Sequence, residues 1–173
     1  MNVLKIEAIN DDFAARITDI DLAQELGEDA IGAIGQAIAQ YAVLVFPNQP
    51  LTDDQHSDFT RRFGSIDKGL LLNTKRKRRL ENVDVMDLAN VDMEGNVLPA
   101  TNIRNVSLIA NQYWHADSSF KNPAGKYSIL CGINLPATGG QTEFADQRAA
   151  YDALDEDMKA RLEGLIAEHW AYH

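Results

Sequence analysis

His115 and Asp117, within Trp114-His115-Ala116-Asp117-Ser118-Ser119-Phe120, set an imidazole and a carboxylate two residues apart. On a β-strand, residues i and i+2 point to the same face, so this spacing predicts convergence on one small ion. A neutral nitrogen donor and an anionic oxygen donor are two of the three ligands in the 2-His-1-carboxylate triad. That triad holds Fe(II) and leaves positions open for O2 and a co-substrate. The tripeptide is also common by chance. A strand histidine hydrogen-bonded to its neighbouring aspartate explains the same spacing without metal, and on these residues alone both readings stand.

The elements that must position the pair read as alternating α and β segments with no internal repeat. Asp29 is placed to cap a helix whose apolar positions are Ile31, Ile34, Ile38 and Tyr41. Ala42-Val43-Leu44-Val45-Phe46 reads as a buried strand stopped by Pro47. Thr52-x-x-Gln55 fits a capping box, opening a helix with Phe59 and Phe63 on one face and its end at Gly64. Val83 to Leu88 alternates like a strand, and Glu94-Gly95-Asn96 reads as a turn. Tyr127 to Leu135 reads as another strand, closed by Pro136 and Gly139-Gly140. A last helix carries Met158, Leu162, Leu165 and Ile166 on one side.

The 173 residues suit one domain with a real core. No apolar run approaches the roughly 18 residues of a membrane span, and the N-terminus lacks the apolar stretch of a signal peptide. Cys131 is the only cysteine, which excludes an internal disulfide and suggests a reducing cytoplasm. A net charge of −10 disfavours nucleic acid or an anionic membrane as the main partner. It leaves a small anionic substrate open, because such a ligand responds to local charge. A homo-oligomer is open as well. The final residues, Glu168-His169-Trp170-Ala171-Tyr172-His173, follow a helix directly and are rich in aromatic groups. The expectation is that the sequence is a cut through a longer protein.

The motif around His115 is followed by Gly139-Gly140-Gln141-Thr142-Glu143-Phe144-Ala145-Asp146. Together they resemble the taurine / 2,4-dichlorophenoxyacetate dioxygenase family of Fe(II)- and 2-oxoglutarate-dependent oxygenases. The run Thr142 to Leu154, with Asn111-Gln112-Tyr113-Trp114 before the histidine, is more similar to the 2,4-dichlorophenoxyacetate branch. Asp19-Ile20-Asp21-Leu22, Val43-Leu44-Val45-Phe46 and Arg62-Phe63-Gly64 also fit, so the resemblance runs along nearly the whole chain in order.

The resemblance implies a mixed α and β fold. It is a double-stranded β-helix, or jelly roll, with flanking helices, incomplete at the C-terminus. Residues 1–173 would then be the N-terminal portion of a single dioxygenase domain. It also implies roles for particular residues. His115 and Asp117 match two iron ligands, and Thr142 matches a threonine whose hydroxyl holds a carboxylate of 2-oxoglutarate. Asn111 matches an amide position lining the co-substrate pocket in the taurine branch. The family's third ligand, a distal histidine, and the arginine beyond it that grips 2-oxoglutarate have no counterpart here. His169 and His173 fall too early to take that place. No residue is assigned as a catalytic acid or base, because the metal carries the chemistry.

The implied reaction is hydroxylation of a small anionic substrate with O2 and 2-oxoglutarate. For an aryloxyacetate it ends in ether cleavage to a phenol and glyoxylate. A taurine or alkylsulfonate oxygenase is the alternative, and so is a non-catalytic fragment. The remaining residues have plainer readings. Thr142 can simply follow a glycine turn, and Asn111 can cap the turn before the strand. His56 reads as solvent-facing, Cys131 as a small core residue, and Trp114 as packing. Lys75-Arg76-Lys77-Arg78-Arg79 reads as a solvated basic loop, with attraction of an anionic substrate as the sharper option.

Overall fold

Strand β2 (Ala15–Thr18) is where the core begins: Ala15 and Ile17 are fully buried while Arg16 faces solvent. That is the alternation expected of a half-buried strand. The structure, a computed structural model, describes residues 4–67 and 78–168. It divides into two units, one from residues up to Gly64 together with Cys131–Glu168, the other from Ser65 to Leu130.

In the first unit, β1 (Lys5–Ala8) pairs antiparallel with β2, Ile6 opposite Ile17. The short β3 (Leu44–Val45) pairs with β2 in parallel, Ala15 opposite Leu44. Parallel neighbours need a crossover, and α1 (Glu28–Tyr41) supplies it. The helix turns Ile34 and Ala37 into the core, which Leu22 and Phe59 complete. Asp29 does not cap α1. Gly27 stands at the cap with no side-chain bond, and Asp29 lies inside the first turn beside Glu28, where a negative charge favours the helix dipole. The strand expected over 42–46 is only two residues long, because Ala42 takes a left-handed φ of 61° as the helix cap.

Helix α2 (Asp53–Arg61) opens on the expected capping box. The Gln55 N–H donates to Thr52 Oγ1 at 3.2 Å, and the Thr52 N–H donates to Gln55 Oε1 at 2.9 Å. Phe59 meets Phe63 edge-on at 5.2 Å between ring centres. The regular helix ends at Arg61, three residues before Gly64. Ahead of it, the Gln49 amide ties two loops: it accepts from Leu22 N–H at 2.8 Å and donates to Ile20 C=O at 2.9 Å.

In place of a single last helix there are two short ones, α4 (Gln147–Asp152) and α5 (Glu156–Leu162), counting as α3 the helix Ile103–Ile109 of the second unit. Asp146 and Asp155 cap them by accepting from the Arg148 and Met158 N–H groups. Arg148 also donates to the Ala39 and Gln40 carbonyls at the end of α1, fastening α4 there. Glu163 turns to an extended conformation and Gly164 takes a φ of 76°, so the helix stops before Leu165 and Ile166. Those two residues are 69% and 94% exposed rather than on a helical face.

In the second unit the expected turn at Glu94-Gly95-Asn96 is present. Asp92 Oδ1 accepts from the N–H groups of Glu94 and Asn96, and Val91 bridges to Val97. The segments Val83–Leu88 and Tyr127–Leu135 are irregular rather than strands. Their alternation is real, but no neighbouring strand among the described residues completes a ladder, and their apolar side chains Val83, Leu88, Leu130 and Leu135 are exposed. The only sheet among the described residues is the three-stranded one, within a mixed α and β fold. No helix among them is long and apolar enough to cross a membrane.

Candidate metal centre

His115 and Asp117 lie in the second unit, beyond α3 and the 3-10 turn Ala110–Gln112. The strand expected for them is absent. His115 sits in irregular chain and Asp117 begins a turn. Ser118 takes a left-handed φ of 55°, and the Lys121 N–H donates to the Ser118 carbonyl at 3.0 Å. That turn bends the chain out of the extended path a ladder requires.

The pair nevertheless converges. His115 Nε2 lies 3.3 Å from Asp117 Oδ1, with both side chains about half exposed (48% and 59%). His115 Nδ1 is 2.7 Å from the Tyr113 carbonyl oxygen. A carbonyl can only accept, so Nδ1 carries the proton, and in the neutral ring Nε2 presents a lone pair. That lone pair and the carboxylate oxygen are both electron donors. Only a cation brings such a pair together favourably: a second proton on the imidazole, which gives a plain ion pair, or a metal ion.

The donor set fits a metal ion. Two donors at right angles, each about 2.1 Å from a first-row ion, stand about 3 Å apart. The other carboxylate oxygen, Asp117 Oδ2, accepts from the Ser128 hydroxyl at 2.7 Å. Neither that contact nor the Tyr113 carbonyl was legible in the sequence, since a serine eleven positions away in an apolar run carries no local signal. Among the described residues no third His, Cys, Asp or Glu joins the pair.

Asn111 is exposed in the 3-10 turn. Thr142 is exposed in irregular chain of the first unit, after Gly139 and Gly140, which take positive φ values of 76° and 69°. Trp114 is largely exposed rather than packed, and Cys131 is half-buried. His56 is not solvent-facing: its Nε2 is enclosed, and the described residues give it no hydrogen-bond partner. In the basic run, residues 75–77 lie outside the described residues. Arg78 and Arg79 are exposed, as a solvated loop requires, and each is also bonded within the chain. Arg78 donates to the Val85 carbonyl, and Arg79 grips Asp87 through two bonds of 2.8 and 2.7 Å. The Arg79 guanidinium holds the Asp87 carboxyl below its ordinary range, chiefly by hydrogen bonding to the charged form.

The sequence model of the taurine catabolism dioxygenase TauD, TfdA family matches residues 5–173. The chain belongs to this family. It is 43% identical over 159 residues to the alpha-ketoglutarate-dependent 2,4-dichlorophenoxyacetate dioxygenase of Cupriavidus pinatubonensis, covering 92% of this chain and 55% of that protein. It is 36% identical to the (S)-phenoxypropionate/alpha-ketoglutarate-dioxygenase of Sphingobium herbicidovorans, covering 91% of this chain and 50% of that one. The crystal structure of AAD-2 in complex with Mn(II) and N-oxalylglycine superposes with a TM-score of 0.81 at 34% identity. That match covers 93% of this chain and 53% of AAD-2. The chain spans about half the length of the curated relatives it matches.

Proposed function

We propose that the protein containing this chain is an Fe(II)- and 2-oxoglutarate-dependent dioxygenase that hydroxylates a small anionic aryloxyacetate. The observation that carries this reading is the convergence of His115 Nε2 and Asp117 Oδ1 at 3.3 Å. It occurs in a chain 43% identical to a dioxygenase named for 2,4-dichlorophenoxyacetate and alpha-ketoglutarate. The similar AAD-2 was crystallised in complex with Mn(II) and N-oxalylglycine, which supports a metal-dependent reading. In this reading the residues form the N-terminal portion of one jelly-roll domain. The distal histidine and the arginine of the family pattern fall outside residues 1–173.

Bound iron would supply the activation of O2 that is coupled to decarboxylation of 2-oxoglutarate. The chain's own residues supply geometry. The Tyr113 carbonyl fixes the His115 tautomer and ring plane, which would leave Nε2 free to hold the metal. Asp117 presents Oδ1 and contributes the negative charge. By the family resemblance, the Thr142 hydroxyl would donate to a carboxylate of 2-oxoglutarate, and Asn111 would take the family's co-substrate-pocket position. A hydroxyl placed on the carbon beside an ether oxygen makes a hemiacetal, which collapses to a phenol and glyoxylate.

The test is succinate release from 2-oxoglutarate by the protein at its natural length, with Fe(II) and O2. Turnover should rise with 2,4-dichlorophenoxyacetate more than with taurine, and His115→Ala and Asp117→Ala should abolish it. Greater stimulation by taurine would move the protein to the alkylsulfonate branch. Undiminished turnover in His115→Ala would refute the metal centre.

A further inference from the structure

Each donor of the His115–Asp117 pair has its second heteroatom engaged. On the histidine, Nδ1 is tied to the Tyr113 carbonyl, and on the aspartate, Oδ2 is tied to the Ser128 hydroxyl. We propose that Ser128 is a positioning residue for the metal-binding carboxylate, holding Asp117 so that it offers one oxygen and not two. The proposal rests on the reading of His115 and Asp117 as metal ligands.

The chemistry follows from what each atom can do. A carboxylate only accepts, so the Ser128 hydroxyl is the donor at 2.7 Å. Among the described residues, no other side chain or backbone group hydrogen-bonds the Asp117 carboxylate apart from the His115 contact. The turn bond from Lys121 N–H to Ser118 C=O sets the backbone after Asp117, but the terminal torsion of an aspartate is broad and roughly two-fold. At 59% exposure, packing does not hold it either. A free carboxylate can swing both oxygens onto a metal and occupy a position that O2 or the co-substrate needs. With Oδ2 held by Ser128, Oδ1 alone remains directed at His115 Nε2.

The chain is built to bring Ser128 there. After Asp117 it runs through the left-handed Ser118 and folds back until Gly125 lies against the Ser118 side chain. A Cβ on Gly125 would stand 3.5 Å from Ser118 Cβ, an ordinary contact, so the two segments touch closely. Three residues on, Ser128 reaches the carboxylate. Partners of this kind, behind a ligand, change metal affinity by about 10–100-fold when removed.

The test is Mn(II) titration of the metal-free protein at its natural length, under anaerobic conditions and without substrate. Wild type is compared with Asp117→Ala, Ser128→Ala and Ser128→Thr, and the melting temperature of each metal-free variant is recorded. Ser128→Ala should weaken Mn(II) binding by about tenfold or more with an unchanged melting temperature. Ser128→Thr keeps the hydroxyl and should restore binding to within about threefold of wild type. If Asp117→Ala binds Mn(II) as tightly as wild type, the ligand reading itself fails. If Asp117→Ala loses binding while Ser128→Ala stays within about threefold of wild type, only the role of Ser128 is overturned. Binding by Ser128→Thr as weak as by Ser128→Ala would overturn it too, since the hydroxyl would not be the cause.

Discussion

Gln49 does the work of a strand edge with a side chain, and removing its amide should unfasten the loop that leads into α1. Its Oε1 accepts from Leu22 N–H at 2.8 Å, and its Nε2 donates to the carbonyls of Ile20 at 2.9 Å and Pro47 at 3.3 Å. Leu22 belongs to the core at 6% exposure, so water has little access to replace the lost acceptor. Gln49→Met keeps the length of the side chain and deletes every one of these bonds. An orphaned, shielded N–H costs about 1–3 kcal/mol, and a lost bond to a more accessible carbonyl about 0.5–1.5 kcal/mol. Some relaxation is expected, so the loss should be about 2 kcal/mol. In a protein as long as the relatives, about twice this chain, that lowers the melting temperature by about 3 °C. Urea unfolding of the natural-length protein should show an earlier midpoint with an unchanged slope, the mark of lost stability rather than of a changed denatured state. A Gln49→Met midpoint within about 0.5 kcal/mol of wild type would show that these bonds merely replace equivalent ones to water.

Acidification gives a second readout, through the Arg79–Asp87 pair. The Asp87 carboxyl is depressed in the folded state, so its contribution is present above the unfolded value of about 3.9 and is lost as pH falls through the folded value. Asp87→Asn should therefore cost about 1 kcal/mol at pH 7 and converge with wild type at strongly acidic pH, and a gap that stays constant in urea titrations across that range would count against the pair. Expressed alone, residues 1–173 should associate and release no succinate, because Leu130, Ile133, Leu135, Leu165 and Ile166 are exposed. Size-exclusion chromatography with a succinate assay checks this, and a monodisperse, active monomer would contradict it.

The helices were legible in the sequence because their signals are local. Thr52 and Gln55 satisfy each other within one turn, and the 3.6-residue spacing of Ile31, Ile34 and Ile38 lies within a single element. The last helix was overextended because the period of Leu162, Leu165 and Ile166 ignores Gly164, whose positive φ breaks the helix before the pattern ends. Strands are different in kind. The alternation at Val83–Leu88 and Tyr127–Leu135 records which side chains want burial, but a strand exists only through hydrogen bonds to another segment. Without that partner among the described residues the same pattern is irregular chain with exposed apolar groups.

The His115–Asp117 pair was found through residue type and spacing, though the geometry that unites it is not the strand geometry that suggested it. What brings the two donors to 3.3 Å is a turn with Ser118 in a left-handed conformation, a backbone carbonyl behind the imidazole and a hydroxyl behind the carboxylate. A two-residue separation keeps two side chains within reach of one ion in many backbone shapes, so the motif survives the loss of the strand. Orientation does not follow from spacing. It comes from Tyr113, two residues before the histidine, and from Ser128, eleven after the aspartate. The convergence of a donor pair can therefore be read from a short motif, while the groups that contact it become visible only when the chain is folded. The strength of metal binding should depend on those hidden groups as well as on the ligands themselves.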